Sequence, residues 1–188
     1  MNPDGLRAPP PEDSPPRESR FLLLGLGNEL CSDDAIGLLV VRQLRRVAES
    51  ADDALPHPFD IRETTGAGLA LLDELTGYEE AILVDAVRTG HAPAGHVHLL
   101  DGRELPRVTL ASPHFLGVGE TLVLGHALGL PMPARVRVVA IEVDDPYTIG
   151  TRLSPPLAAA LPDIVRTVAR LLREFAPDPS TSPSSGPF

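Results

Sequence analysis

The chain has no lysine, no tryptophan, a single cysteine and only 4% aromatic residues. Without lysine, neither Schiff-base chemistry nor a phosphate-binding P-loop is available. With Cys31 alone, no internal disulfide can form, and cysteine usage gives no reason to expect an oxidising compartment. So few aromatics mean that a core has to be built from Leu, Val, Ile and Ala. Positive charge is scarce too: the arginines number 16 against 26 acids, a net charge of -10. That balance argues against nonspecific nucleic-acid binding and against docking on anionic membranes. No apolar run reaches the length of a transmembrane helix, and Met1 to Arg20 lacks the apolar stretch of a secretory signal. The expectation is a cytoplasmic protein with no nucleic-acid or membrane partner.

What is present fits one ordinary globular domain. Hydrophobic residues make up 43% and charged residues 22% of 188, enough for a full core. Six of the 21 prolines fall in the first 16 residues, and four more follow Ala176. Pro-rich polar ends bury too little apolar surface to order themselves. The reading is therefore a tail over residues 1–19, a domain over 20–176 and a second tail over 177–188.

Strand-like and helix-like stretches alternate through that domain. Phe21 to Leu24 is a short apolar run ended by Gly25-Leu26-Gly27, which reads as a buried strand. From Asp34 to Ala48, apolar residues recur at helical spacing. Phe59 to Arg62 alternates as a second strand, and Ala67 to Leu75 is a short helix. Ala81 to Val87, Val97 to Leu100 and Val136 to Val143 are three more strands. Ser112-Pro113 and Ser154-Pro155 each pair a favoured N-cap with a residue favoured at the first helical position. The first opens a long helix and the second a helix over 155–175. Helices between buried strands predict an α/β fold, a three-layer α/β/α sandwich around a twisted, mostly parallel five-stranded sheet. Val87 and Val97 are too close for a helical crossover. The fourth strand is therefore expected to run antiparallel to the third, with Asp101 to Ala111 returning the chain across the sheet.

Four residues stand out as carriers of chemistry. Asp33 and Asp34 lie at the expected helix start, where a carboxylate caps the helix and suits its dipole. One acid suffices for that, which leaves the other to face a crevice. Asp85 follows the buried run Ile82-Leu83-Val84, where a carboxylate is costly unless paired or bound. In open α/β sheets that end of a strand faces the ligand crevice. His114 sits in the first turn of a helix, where the dipole disfavours an imidazolium and leaves a lone pair to donate. Asp34, Asp85 and His114 can meet at one rim of the sheet. Two carboxylates and a neutral imidazole form a mixed oxygen and nitrogen set suited to nickel or zinc, with positions left open.

Other candidates carry less. Gly25-Leu26-Gly27 invites a dinucleotide reading, but Leu30 stands where the fingerprint needs glycine and two acids follow. His96 and His98 share a strand face. His57, His91 and His126 read as surface residues, Cys31 as a loop residue and Glu29 as a crevice neighbour. No Gly-x-Ser-x-Gly elbow or His-Glu-x-x-His pattern occurs.

Gly25-Leu26-Gly27-Asn28, with Leu30, Asp33, Asp34 and Gly37, resembles the opening signature of hydrogenase maturation proteases. The similarity continues through Thr65-Gly66 with Leu71-Leu72, and Val84-Asp85-Ala86. It resumes at Ser112-Pro113-His114 with Leu116-Gly117, then Ile141-Glu142 and Leu153-Ser154-Pro155. Phe115, Ala94-Gly95 and Val143 to Pro146 depart from it. The resemblance implies an aspartyl-type endopeptidase whose metal contacts fall on Asp34, Asp85 and His114. It implies that these bind nickel already inserted in a nickel-iron hydrogenase large-subunit precursor, and that a C-terminal extension is then removed. No organic cofactor is expected, and the enzyme is expected to be a monomer. Either the nickel activates water, or it positions the tail while Asp33, Asp34 or Asp85 acts as base. The alternatives are a nickel-binding maturation factor that does not cut, and a nucleotide-binding α/β enzyme.

Overall fold

Five strands form one sheet in the order β2-β1-β3-β5-β4. They are β1 (Phe21–Leu26), β2 (Asp60–Thr64), β3 (Glu80–Val87), β4 (Val97–Asp101) and β5 (Arg135–Glu142). The structure is a computed structural model and describes residues 21–49, 59–102 and 118–175. Both expected tails, His57, Ser112-Pro113 and His114 lie outside the described residues, as does most of the return segment.

β1 pairs in parallel with β2 and β3, and β3 in parallel with β5. β4 pairs with β5 and is antiparallel to it, so it also opposes β3 in direction. The short link after β3 had predicted that direction. It had not predicted the seat of β4, which lies beyond β5 at the sheet edge.

Among the described residues, four α-helices cover the sheet: α1 (Ile36–Glu49), α2 (Leu71–Leu75), α3 (Val118–Ala127) and α4 (Pro155–Phe175). Alternation along the strands decides which helices meet which face. Leu23, Ile82, Val84, Val139 and Ile141 pack with Val40 and Leu44 of α1 and Leu157, Val168 and Leu172 of α4. Leu22, Leu24, Leu83 and Val138 turn the other way, against Leu71 and Leu75 of α2 and Val118 of α3. Three layers result, with β1 buried along its whole length, β3 buried beyond Glu80 and β5 buried from Val138 onward. This is why β1 reads as an unbroken apolar run rather than an alternating one.

The structure departs from the sequence reading at the entry to α1 and at the cap of α4. The helix expected from Asp34 begins as a separate 3-10 turn over Ser32–Ala35, and the α-helix proper starts at Ile36. α4 does begin at Pro155, and the Ser154 carbonyl takes the Ala158 N–H at 2.9 Å. The Ser154 hydroxyl, however, is buried with no hydrogen-bond partner, so it does not cap the helix.

Candidate active site

The carboxyl ends of β1, β3 and β5 all point to the same rim, and the acidic residues gather there. After β1 the chain makes a short loop and enters the 3-10 turn that carries Asp33 and Asp34. Two glycines fix that turn by close approach. A Cβ on Gly27 would lie 2.2 Å from the Asp34 carbonyl oxygen. A Cβ on Gly37 would lie 2.2 Å from the Leu26 oxygen and 2.4 Å from the Val84 oxygen. These glycines press the acidic turn and the start of α1 onto the ends of β1 and β3. They meet protein backbone, which leaves them no role as an open cradle for phosphate.

Cys31, not an aspartate, occupies the N-cap position of the turn and makes no side-chain cap hydrogen bond, where one of the acids was expected to cap. Both acids point inward instead: Asp33 is 1% exposed and Asp34 is 3% exposed. The Asp33 Oδ1 accepts the Ser154 N–H at 2.7 Å, across the mouth of the sheet to the start of α4. Its Oδ2 is buried without a hydrogen-bond partner. The Asp34 N–H donates to the Cys31 carbonyl at 2.8 Å, which closes the turn.

Asp85 is fully buried, and its Oδ1 accepts the Ala86 N–H at 2.8 Å. It lies within β3 rather than at its end, since the strand continues to Val87. The 3-10 turn with Asp34 packs against β3. Asp34 and Asp85 thus lie on adjoining elements. His114 lies outside the described residues, so its place relative to them is not part of the geometry. Among the described residues no group of three or more His, Cys, Asp or Glu is arranged to hold a metal ion.

Sequence reasoning missed the organising role of Glu142, although it ends the buried run of β5 as Asp85 follows the buried run of β3. Its carboxylate is 1% exposed and accepts the Thr89 N–H at 2.7 Å, the Thr89 hydroxyl at 2.7 Å and the Gly90 N–H at 2.8 Å. His98 Nε2 lies 2.9 Å from its other oxygen. Burial pushes this carboxyl up, but the hydrogen bonds from Thr89, Gly90 and His98 outweigh it and hold the group below the usual range. The Glu142 backbone accepts the Gly95 N–H and donates to the His96 carbonyl, both at 2.8 Å. The loop after β3 is therefore fastened at both ends to one residue of β5.

The other candidates resolve into local roles. His96 and His98 share a face, their ring centroids 4.7 Å apart, with His98 committed to Glu142. His126 is exposed and bonds the Leu122 carbonyl. Glu29 is exposed and pairs with Arg42, which also holds Glu63 at 2.7 Å. Cys31 is a half-buried free thiol.

Comparison with known proteins gives one consistent answer. Residues 45–171 match the family model described as hydrogenase maturation protease. The hydrogenase 2 maturation protease of Escherichia coli is 30% identical over 159 residues, covering 82% of this chain and 92% of that protein. The hydrogenase expression/formation protein HupD of Rhizobium leguminosarum is 27% identical over 164 residues, covering 86% and 78%. Among solved structures, the hydrogenase maturating endopeptidase HybD from Escherichia coli superposes with a TM-score of 0.69 at 27% identity, over 82% of this chain and 93% of that one. The HybD protease from Thermococcus kodakarensis gives 0.64 at 25% identity, over 81% and 99%.

Proposed function

Since the chain belongs to the hydrogenase maturation protease family and is a peptidase, we propose that it removes the C-terminal extension of a nickel-loaded hydrogenase large-subunit precursor. The observation that carries this reading is the family match over residues 45–171, and the burial of Asp34 and Asp85 on adjoining elements supports it. A carboxylate pair is the kind of oxygen donor that a metal ion carried by the substrate can use.

In this reading the nickel is part of the substrate. Oxygens of Asp34 and Asp85 and a ring nitrogen of His114 make a donor set matched to a borderline divalent ion. Three protein donors leave coordination positions for groups of the precursor itself. Gripping the ion orients the adjoining tail in the crevice, and orientation of this kind is worth several orders of magnitude in rate. The peptide bond is then cut by water. A neighbouring carboxylate, on Asp33 or on one of the metal-gripping acids, takes the water's proton as its oxygen adds to the carbonyl carbon. That proton passes to the leaving amine as the C–N bond breaks. This makes the enzyme an aspartyl-type endopeptidase without an organic cofactor.

The acidic composition and the lack, among the described residues, of any helix long and apolar enough to cross a membrane are consistent with cytoplasmic work as a monomer. The test is to incubate the protein with nickel-loaded and nickel-free precursor and weigh the large subunit by mass spectrometry. The loaded form is expected to lose a C-terminal peptide while the nickel-free form stays intact. An unchanged mass in both would overturn the proposal in favour of a maturation factor that binds without cutting.

A further inference from the structure

Several large apolar side chains are exposed on loops at the rim that holds Asp34 and Asp85. Leu30 is 65% exposed, Leu69 66%, Tyr147 59% and Ile149 86%. A single exposed leucine needs no explanation, but several apolar groups gathered on one rim do. Three of these four are displayed on one hydrogen-bonded ridge. Cys31 forms an antiparallel bridge with Ile149, and the Gly150 N–H donates to the Leu30 carbonyl at 3.0 Å. The loop after β1 and the loop after β5 are thereby zipped together directly ahead of the 3-10 turn carrying Asp34.

Each half of the ridge is braced from within. The Asn28 side chain accepts the Leu30 N–H at 3.0 Å. The Asp145 carboxylate accepts the N–H groups of Tyr147 at 2.9 Å and Thr148 at 3.1 Å, and it also takes the Thr148 hydroxyl. Gly150 sits so close to Ser32 that a Cβ there would lie 2.5 Å from its hydroxyl oxygen. Leu69 stands on the same rim, on the turn after β2, whose Gly68 carbonyl is held by the Thr121 hydroxyl at 2.9 Å. Apolar side chains on braced backbone lose little conformational freedom on binding, which is what a preformed protein-docking surface requires.

We infer that the ridge of Leu30, Tyr147 and Ile149, with Leu69, docks an apolar surface on the folded body of the protein substrate, beside the point where its tail enters the cleft. This inference rests on the processing role proposed above. The ridge adjoins the candidate site, so a precursor whose tail reaches the carboxylates must bring its own surface against it. Contacts made equally before and during bond cleavage lower KM and leave kcat unchanged.

The experiment is steady-state processing of the nickel-loaded precursor by the full chain, by a Leu30→Asp/Ile149→Asp double variant and by Leu128→Asp. Leu128 is 62% exposed at the far end of α3, near the Pro131 carbonyl that meets Gly77 ahead of β3. It serves as the control for adding a charge at an exposed apolar position. The double variant is expected to raise KM at least tenfold with kcat retained, and Leu128→Asp to leave both unchanged. Cleavage by all three proteins with the same KM would overturn the docking inference while the processing role stands. No cleavage by the unaltered chain would remove both. Sedimentation of the unaltered chain as a dimer that the double variant converts to monomer would assign the ridge to self-association instead, and would also overturn the inference.

Discussion

Asp33 binds the Ser154 N–H through one carboxylate oxygen and thereby fastens the turn after β1 to the start of α4. Asparagine can accept that bond and alanine cannot. Asp33→Ala is therefore expected to lose about 1–3 kcal/mol of stability in urea unfolding, and Asp33→Asn much less. Equal losses would show that the bond is not what holds the turn. Gly37 makes a second prediction at this scale. Any side chain there meets the Leu26 and Val84 carbonyl oxygens, which are backbone and give way poorly. Gly37→Ala is expected to destabilise by about 1–3 kcal/mol, and an unchanged unfolding midpoint would contradict the close packing. The burial of Asp85 was legible in the sequence, because an acid after an apolar run announces its own cost; the burial of both Asp33 and Asp34 was not, since one of them was expected to cap the helix. The partner of Asp33 was not: Ser154 lies 121 positions away, and no local pattern links them. Glu142 carried the same signal as Asp85 and was passed over, since its partners Thr89, Gly90 and His98 come from another strand and its loop.

Elements were read more surely than their neighbours. The strands and α4 follow from periodicity and from Ser-Pro at the helix start, which are local facts. The direction of β4 followed from a link too short for a crossover. Its place beyond β5 depends on pairing between strands separated by α3, which sequence spacing does not encode. The same holds for the 3-10 turn ahead of α1. Its existence depends on how tightly Gly27 and Gly37 let the chain approach the strand ends, and those contacts are tertiary. The clamp between β5 and the loop after β3 gives a pH prediction. In the folded state the Glu142 carboxyl is held below its ordinary value, so its contribution is fully present above roughly pH 4.3. It is lost as pH falls through the lowered folded value, when the protonated acid gives up its role as acceptor. The unaltered chain should therefore lose stability more steeply below pH 4 than Glu142→Gln. Parallel acid unfolding curves for the two proteins would count against the clamp.

At the scale of the molecule, the sandwich places everything chemical on one rim. The central strands are buried on both faces toward their carboxyl ends, and in open α/β sheets the ligand crevice lies in the loops beyond those ends. Those loops carry two different features: the buried acids Asp33 and Asp34, and a braced apolar ridge beside them. A net charge of -10 adds nothing specific to either. The fold class was open to sequence reasoning because burial and turn chemistry are written locally. The ridge was not, because Leu30 and Ile149 meet only once β1 and β5 have been placed near each other. The central claim is that Asp34, Asp85 and His114 act together on the nickel of the precursor. It is tested most directly by processing assays with Asp34→Asn, Asp85→Asn and His114→Ala, each checked for retained fold by circular dichroism. Loss of cleavage by roughly 100-fold or more in all three, with the fold intact, is the predicted result. Normal cleavage by any of the three folded variants would contradict it.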